Sequence, residues 1–226
     1  MGRIALTLTF IAAFPLLLLI RSADSSAANA SVERRMMIYG DSLSAGYGID
    51  PKQGWVTLLQ SELKKDGVTV VNSSISGETT RGGLNRIKAD LLRIKPDIMV
   101  LALGANDGLR GLPVAQTRNN LQAIIDEARR AKARVVLIGI QIPPNYGIDF
   151  ARQFRELYLE LAKSNRLPPP PFLLEGFAEK LEMFQPDRLH PTAGAQPAML
   201  KNVLPVILKV VKESRSTVAL AVPAKK

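Results

Sequence analysis

Two hydrophobic periodicities alternate along most of the chain. Short apolar runs such as Asp97–Gly104 are typical of strands buried on both faces of a parallel sheet. Between these runs, apolar residues recur at every third or fourth position, which predicts amphipathic helices. The predicted strands are 35–39, 68–72, 97–104, 134–140 and a short edge strand in "FLLEGF", 172–177. The predicted helices are 54–65, 80–95, 113–132, 148–165 and 191–212.

This regular order of strands and helices predicts an α/β fold. Strands that alternate with helices form a parallel sheet with helices on both faces, joined by right-handed crossovers. In such folds a ligand binds outside the carboxyl ends of the strands, where the strand order reverses. Residues that directly follow a predicted strand are therefore the first candidates for chemistry.

Composition narrows the classes of function. The chain has 226 residues, which suits a single domain, and it contains no cysteine. Its single histidine, His190, excludes a metal site built on several imidazoles. The formal charge is +10, but the Lys and Arg residues are scattered among acids and aromatic residues make up only 5%. We therefore expect a solvated basic surface and no nucleic-acid partner.

The N-terminal segment has the pattern of an export signal. Arg3 precedes an almost continuously apolar stretch, Ile4–Ile20, and "ANA", Ala28–Ala30, offers small residues for signal peptidase. The expected organisation is a signal peptide at 1–30, a single folded domain at 31–213 and a disordered basic tail at 214–226. We expect a periplasmic or secreted protein, and an uncleaved N-terminal membrane anchor is the alternative.

Four polar segments follow predicted strands at the expected ligand edge: "GDSLS", "NSSISGETT", "GANDGLRG" and "QIPPNYG". A fifth, "PDRLHP", precedes the last predicted helix and contains the only histidine. A serine hydroxyl attacks an acyl carbon efficiently only when a base removes its proton, and imidazole does so near neutral pH. An acid behind the imidazole orients it and stabilises its cation. Ser42, His190 and Asp187 can fill these three roles, and Asp187 lies three residues before His190.

Acyl transfer also requires donors for the developing oxyanion. The N–H of Ser42, the backbone at Gly77 and the side-chain amide of Asn106 are the candidates. Each motif alone is commonplace, because Ser, Asn and Gly favour caps and turns. Their convergence on one sheet edge, together with the only histidine, favours a catalytic site. Asp41, next to Ser42, is expected to shape the loop that presents the serine.

Other chemistries lack their motifs. No G-x-S-x-G surrounds Ser42, and neither a P-loop nor a dinucleotide fingerprint is present. A non-enzymatic FMN or phosphate protein would need a phosphate cradle after the first strand, where Asp41 would repel the phosphate. A basic adaptor for envelope polymers is the remaining alternative, and it predicts that Ser42 is dispensable.

Four blocks resemble those of the GDSL, or SGNH, hydrolases: "GDSLSAGYG", "NSSISGETT", "LALGANDGLRG" and "DRLHP". Within that family the chain is similar to the bacterial periplasmic subfamily of multifunctional thioesterases, lysophospholipases and arylesterases. The resemblance covers about Met37 to Leu208 and includes the "QIPPNYG" loop, Gln141–Gly147. It implies a three-layer α/β/α, flavodoxin-like fold with five parallel strands. It also implies catalytic Ser42, Asp187 and His190, an oxyanion hole of Ser42, Gly77 and Asn106, and no cofactor or metal.

The function that follows is a serine esterase for acyl esters and thioesters, including lysophospholipids and aryl esters. A carbohydrate O-acetylesterase with the same catalytic residues is the alternative. We expect a monomer that contacts membrane surfaces only transiently. The apolar loops at 109–112 and 142–148 predict an acyl-chain site that includes Leu109, Leu112, Ile142 and Tyr146. Two departures from the family pattern are Ala105, where a second glycine is usual, and Arg188, which adds a positive charge beside His190.

Overall fold

Four parallel strands form the central sheet in the computed structural model, which describes Gly2 and residues 33–221 of the chain. The strands, in the spatial order β2-β1-β3-β4, are β1 (Arg34–Gly40), β2 (Val68–Asn72), β3 (Ile98–Ala102) and β4 (Arg134–Leu137). The helices are α1 (Ser42–Ala45), α2 (Trp55–Leu63), α3 (Thr80–Ile94), α4 (Ala105–Leu109), α5 (Val114–Arg130), α6 (Ile148–Ser164) and α7 (Gln196–Ala221). The predicted α/β class with a parallel sheet is confirmed.

Helices cover both faces of the sheet and make three layers. On β1, Met36 and Ile38 belong to the core that α2 and α7 complete, while Met37 and Tyr39 belong to the core formed with α3, α5 and α6. Side chains alternate between the two faces of a strand, so a strand covered on both sides must be apolar throughout. This is the physical reason for the unbroken apolar run in β3.

The predicted fifth strand is wrong. Phe172 forms a single parallel bridge with Gly139, and the described residues contain no further ladder beyond β4. The N–H of Gly139 donates to the carbonyl of Pro171 at 2.9 Å. Directly after Phe172 the backbone turns, with the N–H of Glu175 donating to the Phe172 carbonyl at 3.3 Å, so residues 173–177 do not extend along β4. The four prolines at 168–171 have no N–H to donate, so the ladder does not extend before Phe172 either.

Helix boundaries follow local chemistry. The Thr79 side chain accepts the N–H of Gly82 at the start of α3, and Lys95 in a left-handed conformation before Pro96 ends it. Helix α7 begins at Gln196 and its backbone continues to Ala221, into the segment predicted to be disordered.

The predicted signal peptide, apart from Gly2, and residues 222–226 lie outside the described residues. Among the described helices, none has the length and apolarity needed to cross a bilayer.

The chain reverses its strand order at β1. It passes from β1 to β2 on one side of β1 and then returns to β3 on the other side. In a parallel sheet this reversal opens a crevice at the carboxyl ends of the two central strands, here β1 and β3. Ser42 follows β1 and Asn106 follows β3, so both lie at that crevice.

Candidate active site

Ser42 is placed by a tight turn between β1 and α1. A Cβ on Gly40 would lie 2.8 Å from Ser44 Oγ and 3.1 Å from the carbonyl oxygen of Ala102, so only glycine fits where the strand ends. Asp41 caps α1 by accepting the N–H of Leu43 at 3.1 Å. Ser42 is consequently the first residue of α1, where a backbone N–H has no partner within the helix.

The Asp41 carboxyl is nearly inaccessible to solvent. Burial raises its pKa to about 7; the carboxylates of Asp107 and Glu78 act in the same direction, and the hydrogen bond from Leu43 opposes them. Among the described residues, Asp41 Oδ2 has no hydrogen-bond partner. Asp41 therefore caps the helix that begins with Ser42, in agreement with its expected role in shaping the loop that carries the serine.

Ser42, His190 and Asp187 form one continuous chain of hydrogen bonds. Ser42 Oγ lies 2.9 Å from His190 Nε2, and His190 Nδ1 lies 2.6 Å from Asp187 Oδ2. Asp187 Oδ1 accepts the backbone N–H groups of Leu189 and His190, both at 3.0 Å. Ser42 and Asp187 are 145 positions apart in the chain. Asp187 and His190 are close because Asp187 caps the turn 187–190 through these two backbone hydrogen bonds.

The protonation pattern follows from these contacts. Hydrogen bonds from the His190 N–H, from its imidazole and from the Leu189 N–H lower the pKa of Asp187 to about 2. An ionised carboxylate only accepts hydrogen bonds, so the imidazole proton lies on Nδ1. The lone pair on Nε2 is then directed at the Ser42 hydroxyl, which donates to it.

Asn106 lies at the start of α4, directly after β3. Its Nδ2 donates to the carbonyl of Glu78 at 3.0 Å, and a side-chain amide has a second N–H to offer. Gly77, with φ +77°, turns the loop before α3, and its carbonyl accepts from Arg110 Nη2 at 3.1 Å. Two groups at α4 thus hold the turn that contains Gly77. The same loop is tied to β1 by the Ile75 N–H, which donates to the Gly40 carbonyl at 3.0 Å.

A cleft of about 750 Å³ opens over Ser42 and His190, a size ordinary for small-molecule sites. Its apolar wall includes Leu43, Leu109, Ile142, Leu173 and Phe184, and its charged residues are Arg152, Arg155, Glu156, Glu179 and Arg188. Asn106 also lines this cleft, whereas Gly77 and Asp187 do not.

The predicted acyl-site residues divide into two pairs. Leu109 and Ile142 line the cleft. Leu112 and Tyr146 do not line it. The N–H of Leu112 donates to the Asp107 carbonyl at 2.9 Å, which ends α4 in a turn. Tyr146 ends the short 3-10 helix Pro144–Tyr146 and is 44% exposed.

Two residues near the catalytic atoms were not among the site residues predicted from the sequence. The ring of Tyr47 packs on the imidazole of His190, with centroids 4.5 Å apart and an interplanar angle of 39°. Gln185 donates through Nε2 to the carbonyl of Tyr47 at 2.8 Å. Residue type and spacing do not predict these contacts, because each joins segments at least 138 positions apart in the chain. Within the described residues, no group of three or more His, Asp or Glu side chains could hold a metal ion.

Comparison with known proteins identifies relatives over most of the chain. Residues 38–196 match the GDSL-like lipase/acylhydrolase family. Esterase TesA of Pseudomonas aeruginosa is 45% identical over 174 residues, 76% of this chain and 87% of that protein. An arylesterase of Vibrio mimicus is 40% identical over 82% of this chain and 92% of its own length. Thioesterase 1/protease 1/lysophospholipase L1 of Escherichia coli is 37% identical over 79% of this chain and 87% of its own.

Solved structures give the same result for the fold. The crystal structure of TesA superposes with a TM-score of 0.74 at 44% identity, covering 79% of this chain and 99% of that one. Esterase EstA from Pseudoalteromonas sp., in a structure inhibited by monoethylphosphonate, has a TM-score of 0.75 at 36% identity over the same shares of the two chains. The family and the subfamily resemblance predicted from the four sequence blocks are confirmed.

Proposed function

Because the chain belongs to the GDSL-like lipase/acylhydrolase family, we propose that it hydrolyses acyl esters and thioesters through an acyl-enzyme on Ser42. The observation that carries this proposal is the hydrogen bond of 2.9 Å between Ser42 Oγ and His190 Nε2, behind which Asp187 holds Nδ1 at 2.6 Å. The relatives named esterase, arylesterase and thioesterase support the same class of reaction.

In the first half-reaction, Ser42 Oγ attacks the acyl carbon while His190 Nε2 removes its proton. A C–O bond forms and the carbonyl π electrons move onto oxygen. Asp187 stays ionised and stabilises the imidazolium that results. The tetrahedral intermediate then collapses, and the departing alcohol or thiol takes the proton from Nε2. The acyl group remains on Ser42.

Three donors are proposed to stabilise the oxyanion of this intermediate. They are the N–H of Ser42 at the start of α1, the N–H of Gly77 and the second Nδ2 hydrogen of Asn106. Donors fixed in place before the reaction stabilise developing charge without reorganisation. The bond from Asn106 to Glu78 at 3.0 Å supports such fixing. In the second half-reaction His190 Nε2 deprotonates a water, whose oxygen attacks the acyl carbon. The bond from that carbon to Ser42 Oγ then breaks, the imidazolium returns the proton to Oγ, and the acid is released.

The lining of the cleft favours a substrate with an apolar acyl chain and a polar or charged leaving group. Leu109 and Ile142 offer an apolar wall for the acyl chain, with Leu112 and Tyr146 outside it. Three arginines against two glutamates at the same cleft leave a net positive charge, which would favour leaving groups that carry phosphate, as in lysophospholipids. No cofactor enters this mechanism. We propose a monomer that meets membrane surfaces only transiently while it binds such substrates.

We further propose that the hydrolase domain is exported. The pattern of residues 1–30 favours a cleaved signal peptide that directs the domain, residues 31–213, to the periplasm or outside the cell. Retention of the segment as a membrane anchor is the competing outcome.

A fluorophosphonate label followed by intact mass tests the nucleophile and the export signal together. We expect one adduct on the wild type and none on Ser42→Ala, with turnover reduced by about 10³-fold or more. Ser44→Ala is the matched control, because Ser44 is buried two residues away and is expected to keep the adduct. A label that persists in Ser42→Ala would refute the proposed mechanism. The mass of protein expressed with its N-terminus intact also shows whether residues 1–30 are removed.

A further inference from the structure

Gln185 connects the loop that carries His190 to the loop that follows Ser42. Its Nε2 donates to the carbonyl of Tyr47 at 2.8 Å and to that of Pro191 at 3.1 Å. Its own N–H donates to the His190 carbonyl at 2.7 Å. The N–H of Tyr47 in turn donates to the carbonyl of Ser42 at 3.1 Å. A path of hydrogen bonds therefore runs from Ser42 through Tyr47 and Gln185 to His190, with the Gln185 side chain as the link between the two loops. It runs alongside the direct contact between the Ser42 and His190 side chains.

The space for this amide is made by a glycine. Gly48 has φ +73°, and a Cβ at this position would lie 2.1 Å from Gln185 Oε1 and 3.0 Å from its Cδ. The side chain of Gln185 therefore packs directly on the backbone of the loop after α1. Close packing of this kind leaves the amide few alternative positions.

Tyr47, in the loop after α1, also contacts the imidazole of His190. The Tyr47 ring lies 4.5 Å from the His190 ring, centroid to centroid, with an interplanar angle of 39°. One face of the imidazole is thereby covered, and the electron-rich face of a tyrosine ring also favours the imidazolium that forms during proton transfer. Asp187 holds the ring at Nδ1, so the imidazole is restrained by a carboxylate at one nitrogen and by an aromatic face at its side.

We propose that Gln185 and Tyr47 are positioning residues that hold His190 Nε2 in line with Ser42 Oγ. Gln185 sets the separation of the two loops, and Tyr47 sets the orientation of the ring. This inference rests on the proposed function of Ser42 and His190. Misplacement of a reacting group by about 1 Å costs up to about a hundredfold in rate, so loss of either contact acts on turnover.

The first test replaces Gln185 by Ala and compares it with Gln116→Ala, an exposed glutamine on α5. We expect kcat on an aryl ester to fall by about tenfold or more for Gln185→Ala while KM stays within about twofold. Gln185→Glu keeps the length but presents acceptors to two carbonyls, so we expect the same loss. Tyr47→Phe is expected to retain more turnover than Tyr47→Ala, because the phenyl ring preserves the packing.

Imidazole NMR distinguishes misalignment from collapse of the loop. His190 is the only histidine of the chain, so its ring signals are unambiguous in untagged protein. We expect the low-field Nδ1–H signal of the Asp187 pair to persist in Gln185→Ala and the signals at the Nε2 side to shift. Wild-type kcat in Gln185→Ala, or loss of the Nδ1–H signal together with activity, would overturn the proposal. Absence of Ser42 labelling in the wild type would refute the proposed function instead.

Discussion

The carboxylate of Asp107 holds the first residue of α3 by two hydrogen bonds from Thr80. The Thr80 N–H donates to Oδ2 at 2.8 Å, and its hydroxyl donates to Oδ1 at 2.5 Å. Both residues are fully buried, and the amide of Asn120 donates to the Thr80 hydroxyl at 3.0 Å. Asp107 directly follows Asn106, while Thr80 lies three residues after Gly77. This contact therefore joins two of the segments proposed to bind the oxyanion.

Replacing Asp107 by Ala leaves buried donors of Thr80 without an acceptor. We expect the free energy of unfolding to fall by about 2–4 kcal/mol, measured by urea denaturation. The matched control is Asp149→Ala, which removes an exposed ion pair with Arg152 at 2.8 Å and should cost less than about 1 kcal/mol. Equal losses in the two variants would contradict the structural role of Asp107.

Asp41 predicts a pH dependence of stability. Its pKa is about 7 in the folded protein and about 4 when unfolded, so the folded state favours the protonated form. That contribution is complete below pH 4 and is lost as the pH rises through about 7. Asp41→Asn preserves an acceptor for the Leu43 N–H and cannot ionise. We expect its melting temperature, relative to the wild type, to rise between pH 4 and pH 8; a constant difference by calorimetry would contradict this.

Leu109 on the cleft wall predicts a dependence on acyl-chain length. Leu109→Asp places a charge against the apolar part of the substrate, so we expect the ratio of kcat/KM for octanoyl over acetyl esters to fall about tenfold. Leu92→Asp is the control, because Leu92 is 75% exposed on α3. Aryl esters from C2 to C16 provide the measurement. An unchanged profile would exclude Leu109 from the acyl site, and wild-type activity confined to acetyl would favour an O-acetylesterase.

We expect Arg188 to make the enzyme prefer substrates whose leaving group is anionic. It lines the cleft with His190 and holds a left-handed backbone at φ +57°, an uncommon conformation for a side chain other than glycine. We expect Arg188→Gln to lower kcat/KM about two- to fivefold for a phosphate-bearing acyl thioester, with little change for a neutral aryl ester. Added salt should reduce the difference.

The control for Arg188 is another arginine with the same backbone. Arg166 is exposed with φ +50° and does not line the cleft, so Arg166→Gln should leave both substrates unaffected. An equal loss in the two variants would indicate a general effect of net charge. A loss in neither would remove Arg188 from substrate recognition.

Most of the fold was predictable because the signals are local. A strand covered on both faces must be apolar throughout, so the apolar runs at 98–102 and 134–137 predict buried strands. A helix that packs on a sheet must be amphipathic, so the helices are predictable from their periodicity. The fifth strand was not predictable in the same way. "FLLEGF" has the side chains of a strand, but its backbone turns directly after Phe172, and N–H groups used within a turn cannot pair with a neighbouring strand.

The sequence by itself determined which chemical groups are available: a serine after the first strand, one histidine, an aspartate three residues before it, and an amide after the third strand. Residue type and the rule that ligands bind at the carboxyl ends of parallel strands suffice for that. Only the tertiary structure decided that Gln185 and Tyr47 meet, that Leu109 lines the cleft and Leu112 does not, and that Asp107 anchors Thr80. Contacts between distant segments depend on how loops pack, and packing leaves no periodicity in the chain.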